Sequence, residues 1–322
     1  MKMLYLSRAD VEDLQIPMGA VIGAVEEGFR RKGLGETQMP PKTPIYPRPD
    51  KVFLHAMPAY VGGLDAASLK WVGGAEDNYK RGLPTITGLL ILNDPETMMP
   101  LAVMDCTWIT AMRTAAANAV AMKYLGPAEC PEPAIIGCGV QGRSNLLAIT
   151  TLYSGIRRVR AYDTKPEVLE VFVNEMSAEL GVRVDAVGNA EEAVVGADVV
   201  VTAGYMPPQP EPYIEDAWLK PGAMAAPVDY NVAWKAEVCQ NVDKIVTDDV
   251  KQMDYYRPRG YFAGVPVPWE LGEVVAGLKP GRERPEERTM AMCLGIGIDD
   301  AVTAQLVYRT ARERGAGVEL PL

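Results

Sequence analysis

The residues best suited to chemistry form one short run, Gly137-Cys138-Gly139-Val140-Gln141-Gly142, between the apolar stretch Ala134-Ile135-Ile136 and a helical stretch. In such a turn the first glycine permits a tight bend and the second lets the main chain approach a pyrophosphate. The third lets strand and helix pack closely, and the free N–H groups of the helix start meet the phosphates. The next predicted strand ends at Asp163, 21 residues after Gly142, where a carboxylate accepts hydrogen bonds from an adenosine ribose. This spacing predicts a Rossmann dinucleotide site. Asp163 favours NAD over NADP because it repels a 2′-phosphate, an effect that Lys165 partly offsets, so NADP stays open. The motif lies mid-chain, which disfavours FAD and fits a substrate domain that precedes the nucleotide domain.

Nicotinamide exchanges a hydride with a carbon held over its ring, so a substrate has to be gripped. Three cations stand in apolar settings: Lys42 in MPPKT, Lys70 in SLKWV and Arg113 in TAMRTAAA. A guanidinium among Ala, Met and Thr is placed to fork a carboxylate, although each cation could equally lay its stem on the surface. Asp229, at the end of AMAAPVD, falls where doubly wound sheets place ligands. It can hold a substrate amine, or cap a helix beginning near Ala233. His55 is the only histidine, so no multi-histidine zinc site is expected and no metal is assigned. Trp71, Trp108 and the methionines read as core.

The elements that must position these groups change character along the 322 residues. Ser7 and Asp10 box the start of a short helix, and Pro17 opens a second that ends near Gly33 and Gly35, with Val21, Val25 and Phe29 on one face. After a proline-rich loop, MPPKTPIYPRP, come extended stretches KVFLHAMPAY, ASLKWVGG and TITGLLILND. A turn at Asn93-Asp94-Pro95-Glu96 returns the chain as MPLAVMD, and a helix follows from Thr107 to Leu125. From PAIIGCG onward, short apolar strands (RVRAYD, VRVDAV, DVVVTAG, AMAAPVD and KIVTDD) mostly alternate with helices, which implies a parallel sheet. The fold class is therefore α/β. The segment MDYYRPRGYFAGVPVPWE reads either as a surface excursion packed by its own rings or as a lid or interface, and a last helix runs from Asp299 to Arg314.

Composition narrows the partners. With 32 Lys and Arg against 42 Asp and Glu, the net charge of -10 repels phosphate backbones and anionic lipid, so neither nucleic acid nor membrane is expected. No run of 18 apolar residues spans a bilayer, and MKMLYLSRADVEDL does not read as a secretory signal. Five cysteines without CxxC spacing read as reduced thiols of a cytoplasmic protein.

The blocks MPPK, HAMPAY, LKWV, GLPTITGLLILND, TAMRTAA, IIGCGVQG, AYD, ELGEVVAGLKPGR and Asp299-Asp300 occur in order over most of the chain. Together they resemble the ornithine cyclodeaminase/mu-crystallin family, and most of all its archaeal alanine dehydrogenase-like members. The resemblance implies a substrate-binding and dimerisation domain over 1–120, which residues 297–322 rejoin, and a Rossmann domain over 121–296. It also implies a homodimer whose N-terminal strands close into a barrel across the interface. By position, Lys70 and Asp229 take the catalytic roles, while Lys42, Arg113 and His55 face the substrate. Thr110, Gly137, Gly139, Val140, Gln141, Gly142, Asp163 and Thr202 would contact the dinucleotide. The chain departs from the family at three places. The segment GxDxPG reads Val228-Asp229-Tyr230-Asn231-Val232, a Ser/Thr-Gly pair reads Leu294-Gly295, and His55 stands where cyclodeaminases tend to carry glutamate. The implied activity is hydride transfer at the Cα of an amino acid, with an amino acid, a 2-oxo acid with an amine, or an imine as substrate. The alternatives are redox-neutral conversion of ornithine to proline and ammonia, and a mu-crystallin-like protein that binds without turnover.

Overall fold

The computed structural model describes residues 1–48, 52–207 and 209–322. Pro49, the last residue of the expected proline-rich loop, and Lys51, the first of the stretch after it, lie outside the described residues. In chain order the first elements are β1 (Lys2–Leu6), α1 (Arg8–Asp13), α2 (Met18–Gly33), β2 (Thr37–Gln38), β3 (Thr43–Arg48), β4 (Val52–Val61), β5 (Ala66–Ala75), β6 (Ile86–Asn93), β7 (Pro100–Asp105) and α3 (Thr107–Leu125). The middle of the chain supplies β8 (Ala134–Ile136), α4 (Val140–Leu152), β9 (Val159–Tyr162), α5 (Pro166–Leu180), β10 (Val184–Ala186), α6 (Ala190–Val194), β11 (Val199–Thr202) and β12 (Met224–Pro227). There follow α7 (Ala236–Asn241), β13 (Lys244–Thr247), α8 (Val250–Tyr256), β14 (Trp269–Glu270), α9 (Leu271–Val275), β15 (Thr289–Met292), α10 (Gly297–Arg314) and β16 (Val318–Pro321). The chain divides into two compact units, Met1–Arg113 with Gly295–Leu322, and Thr114–Leu294. The first division falls inside α3.

The first unit is built on a mixed sheet of order β16-β1-β7-β6-β5-β4-β2, with β3 also paired to β4. Antiparallel pairing sets Met57 opposite Lys70 and Lys70 opposite Leu90, so these three share a face. Along that face Ala59, Val61, Val72, Leu92 and Met104 are buried, and α10 packs on β4, β5 and α2. Two glycines set how closely the helices approach. A Cβ on Gly28 would lie 3.1 Å from Ile298, and one on Gly297 would meet Ala59 and the Pro58 carbonyl at the same distance. Ser7 and Asp10 form the capping box that the sequence predicts, and Val21, Val25 and Phe29 of α2 have no exposed surface. Two expectations are corrected. Part of the proline-rich loop is strand β3, which among the described residues pairs only with β4, and an edge of that kind tolerates Pro44 and Pro47. Trp71 is not core: it points to the opposite face of the sheet and is 39% exposed.

The second unit is a parallel sheet of order β10-β9-β8-β11-β12-β15-β13-β14. The chain leaves β8 for β9 on one side and returns to β11 on the other, the topological switch at which doubly wound sheets bind ligands. KIVTDD supplies β13 as expected, but β15 lies between it and β12. The segment 253–270 contributes Met253, Tyr256, Phe262 and Val265 to a buried cluster with Trp234 and Tyr230. Its rings meet one another and Tyr230 in tilted and edge-to-face contacts, at centroid distances from 5.3 Å for Tyr256 and Phe262.

Candidate active site

In the first unit four charged side chains are buried together. Lys70, on β5, has no exposed surface and donates from Nζ to Asp300 Oδ1 at 2.7 Å and to Thr110 Oγ1 at 3.3 Å. Arg113, on α3, forms ion pairs with Asp300 Oδ1 at 3.1 Å and with Asp299 at 3.9 Å. Both acids lie in the first turn of α10 and are wholly buried, so the sheet, α3 and α10 assemble a compact set of two cations and two anions. Burial, then the neighbouring Arg113, pushes the Lys70 ammonium below its usual pKa, while Asp300 opposes the shift. Gly295 makes the arrangement sterically possible. Its φ is +80°, and a Cβ there would fall 2.2 Å from Arg113 Nη1. Lys42 is buried as well. His55 is half-buried on β4, stacked on Phe53, and its pKa is lowered to about 3 by burial and by Lys42 and Lys70. A group like Lys70, kept dry beside a carboxylate and a hydroxyl, is equipped to exchange a proton.

In the second unit the glycine run has the backbone that a dinucleotide turn needs. Gly137 has φ +94°, and a Cβ on it would lie 2.5 Å from the Ala203 carbonyl. A Cβ on Gly142 would lie 2.2 Å from the Gly137 carbonyl oxygen, so α4 packs where only glycine fits. Gly139 differs, because nothing lies within 4 Å of where its Cβ would be. It is also the N-cap of α4, with no side chain capping the helix N–H groups. Among the described residues, the space in front of Gly139 is open. Val140 is 65% exposed beside it, and Gln141 Oε1 is buried without a hydrogen-bond partner among the described residues. Asp163 accepts from the Cys138 N–H at 2.8 Å and the Lys165 N–H at 2.9 Å. This fixes the carboxylate against the loop with lone pairs remaining for ribose hydroxyls. These residues fit a dinucleotide.

Asp229 lies just past β12 and is 3% exposed. It accepts from Thr202 Oγ1 at 2.6 Å and from the Gly204 N–H at 3.0 Å. Burial raises its pKa to about 6, against the pull of those two donors. Gly204 also faces Gly137, so Asp229 stands on the rim that carries the glycine turn. It does not cap a helix, since the next one begins at Ala236 with Lys235 before it.

The sequence expectations divide accordingly. Lys70, Arg113 and Thr110 meet in the first unit, with Thr110 on the lysine. Gly137, Gly139, Gly142 and Asp163 meet in the second. Thr202 is wholly buried, and its hydroxyl donates to Asp229 and accepts from the Trp234 indole N–H. Sequence reasoning missed Asp300 and Asp299 as the counter-charges of Lys70 and Arg113. The signal was an adjacent acid pair at the start of a helix otherwise rich in apolar residues. Among the described residues no group of three or more His, Cys, Asp or Glu could hold a metal ion. No helix among them is long and apolar enough to cross a membrane.

The profile of the ornithine cyclodeaminase/mu-crystallin family matches residues 1–315. The alanine dehydrogenase of Archaeoglobus fulgidus is 37% identical over 329 aligned residues, which cover 99% of this chain and 98% of that protein. The structure of Thermococcus litoralis Delta(1)-pyrroline-2-carboxylate reductase in complex with NADH and L-proline superposes with a TM-score of 0.88 at 34% identity, covering 98% of this chain and 99% of that one. An archaeal alanine dehydrogenase dimer with bound NAD gives a TM-score of 0.88 at 35% identity, with 100% of each chain covered.

Proposed function

This chain belongs to the ornithine cyclodeaminase/mu-crystallin family, and we propose that it is an NAD-dependent oxidoreductase that moves a hydride to or from the Cα of an amino acid or imino acid. The observation that carries this reading is the wholly buried Lys70, joined through Asp300 to Arg113. Gly137, Gly139, Gln141, Gly142 and Asp163 would hold the dinucleotide. When bound, its nicotinamide donates or accepts the hydride.

The protein side chains do the rest. Arg113, with Lys42, grips the substrate carboxylate, and fixed placement of that kind removes up to ~7–11 kcal/mol of barrier in ideal cases. In the reducing direction the C=N π bond breaks, hydride joins the carbon, and the nitrogen keeps the electron pair and takes a proton. Lys70, whose ammonium is destabilised by burial and Arg113, supplies that proton and recovers one from solvent. Asp229 in its ionised form steadies the cationic nitrogen. The substrate is an amino acid in one direction, and an imine or a 2-oxo acid with an amine in the other.

His55 favours net redox over cyclodeamination. With its pKa near 3 the ring is neutral at working pH, so it gives the second ammonium of a diamino acid no counter-charge. The test is absorbance at 340 nm with NADH, a 2-oxo acid and ammonia or methylamine. Steady oxidation of NADH is expected. Proline formed from ornithine with only catalytic NAD would overturn net redox, and NADH binding without turnover on a broad imine and oxo-acid panel would leave a binding protein.

The reading includes a homodimer in the cytoplasm. The sheet face opposite Lys70 is apolar across neighbouring strands, with Ile45, Leu54, Leu69, Trp71, Leu89, Ile91 and Val103 in register. Ile45 and Leu89 are 51% and 46% exposed in one protomer, a surface that a second copy would cover. All five cysteines are free and buried, which fits a reducing compartment.

A further inference from the structure

Behind Asp229 lies a hydrogen-bond chain, Trp234 Nε1 to Thr202 Oγ1 at 3.0 Å and Thr202 Oγ1 to Asp229 Oδ1 at 2.6 Å. An indole N–H can only donate, and a threonine hydroxyl has one proton and two lone pairs. Trp234 therefore occupies the hydroxyl oxygen as an acceptor, and the single hydroxyl proton is left to point at the carboxylate. All three side chains are buried, so no bulk water competes. The second carboxylate oxygen takes the Gly204 N–H.

We propose that Trp234 is a positioning residue, which holds the Thr202 proton on Asp229 and so sets the pH at which that carboxylate becomes charged. This rests on the assignment of Asp229 as the group that works in its ionised form. The residues around Asp229 agree with it. Tyr230, the next residue, has φ +61° and is held by ring contacts with Tyr256, Tyr261 and Phe262. The Asn231 side-chain oxygen accepts from the Phe262 N–H at 2.8 Å. The turn is thus fastened on its far side, while the Thr202 hydroxyl, the Gly204 N–H and the N–H of Asp229 itself act on the carboxylate. Tyr213 is near enough to feel the charge of Asp229, and burial pushes its phenol up, as it does that of Tyr230. Both phenols stay neutral where Asp229 titrates and do not compete with it.

With the donor removed in Trp234→Phe, the Thr202 hydroxyl is free to rotate and the ionised carboxylate loses part of its stabilisation. Its titration should then move up from about 6 by roughly half to one pH unit. Two measurements read this: 13C NMR titration of the Asp229 carboxyl carbon in the protein without substrate, and the acid limb of kcat/KM against pH. Because the indole is wholly buried, its loss also disturbs packing. Thr202→Val keeps the indole and should shift the titration in the same direction. Trp234→Phe should add nothing in the Thr202→Val background, while Thr202→Ser should return the titration to the parent value. An unshifted Asp229 titration in a folded Trp234→Phe or Thr202→Val protein overturns the proposal. If Asp229→Asn leaves kcat/KM unchanged, the assignment of Asp229 fails instead, and the NMR titration still reports on the hydrogen-bond chain.

Discussion

A guanidinium keeps its charge at any working pH, so the two carboxylates near Arg113 orient it without switching it. Removing it should separate binding of substrate from binding of cofactor. Arg113→Ala is expected to raise the substrate KM roughly ten- to a hundredfold and to lower kcat. NADH affinity, read by fluorescence, should hardly change, and an unchanged KM would refute the anchor role. His55 offers a test of a different kind. Its folded pKa of about 3 lies below the ordinary histidine value of 6.5, so between those values the unfolded chain binds a proton that the folded chain rejects. Stability therefore rises with pH through that window and falls as pH drops from about 6.5 toward 3. Urea midpoints measured across the range should show a shallower acid loss in His55→Gln than in the parent.

At the scale of elements, the glycines of the nucleotide turn separate folding from ligand binding. Gly142→Ala drives a Cβ into the Gly137 carbonyl and should lower stability by about 1–3 kcal/mol as well as NADH affinity. Gly139→Ala meets no protein atom, so its thermal midpoint should stay near that of the parent while NADH binding weakens at least tenfold. Equal NADH binding by Gly139→Ala would remove the dinucleotide assignment. That turn was legible because the glycine spacing between an apolar strand and a helix is specific, and α3 was legible because a helical stretch follows the strand Pro100–Asp105. Strand β15 was not, since Thr-Met-Ala-Met holds a single β-branched residue and no aromatic one to announce a strand. Asp300 escaped because acids in the first turn of a helix are ordinary. Its meaning comes from Lys70, 230 residues away. The bond between Thr202 and Trp234 was not legible either, since 32 residues separate them and only packing brings the indole to the hydroxyl.

For the whole molecule, period-two alternation along β4 to β7 says that two faces exist but not what covers each. That is why Trp71 read as core. A charged pair of substitutions on the open face, Trp71→Glu with Leu89→Arg, should give a folded chain of monomer mass in sedimentation, with far-UV circular dichroism unchanged. A persisting dimer would place the interface elsewhere. The split first unit also bears on how the protein is made. Lys70 leaves the ribosome long before Asp300, and at about 5–20 residues per second that gap lasts roughly 10–50 s. Through that interval the lysine has no anion from α10 to accompany it into the interior, so the opening segment cannot close over it. The later-encoded nucleotide half can condense while the earlier-encoded half waits, and nascent chains stalled before residue 297 should remain open to protease at β4 and β5.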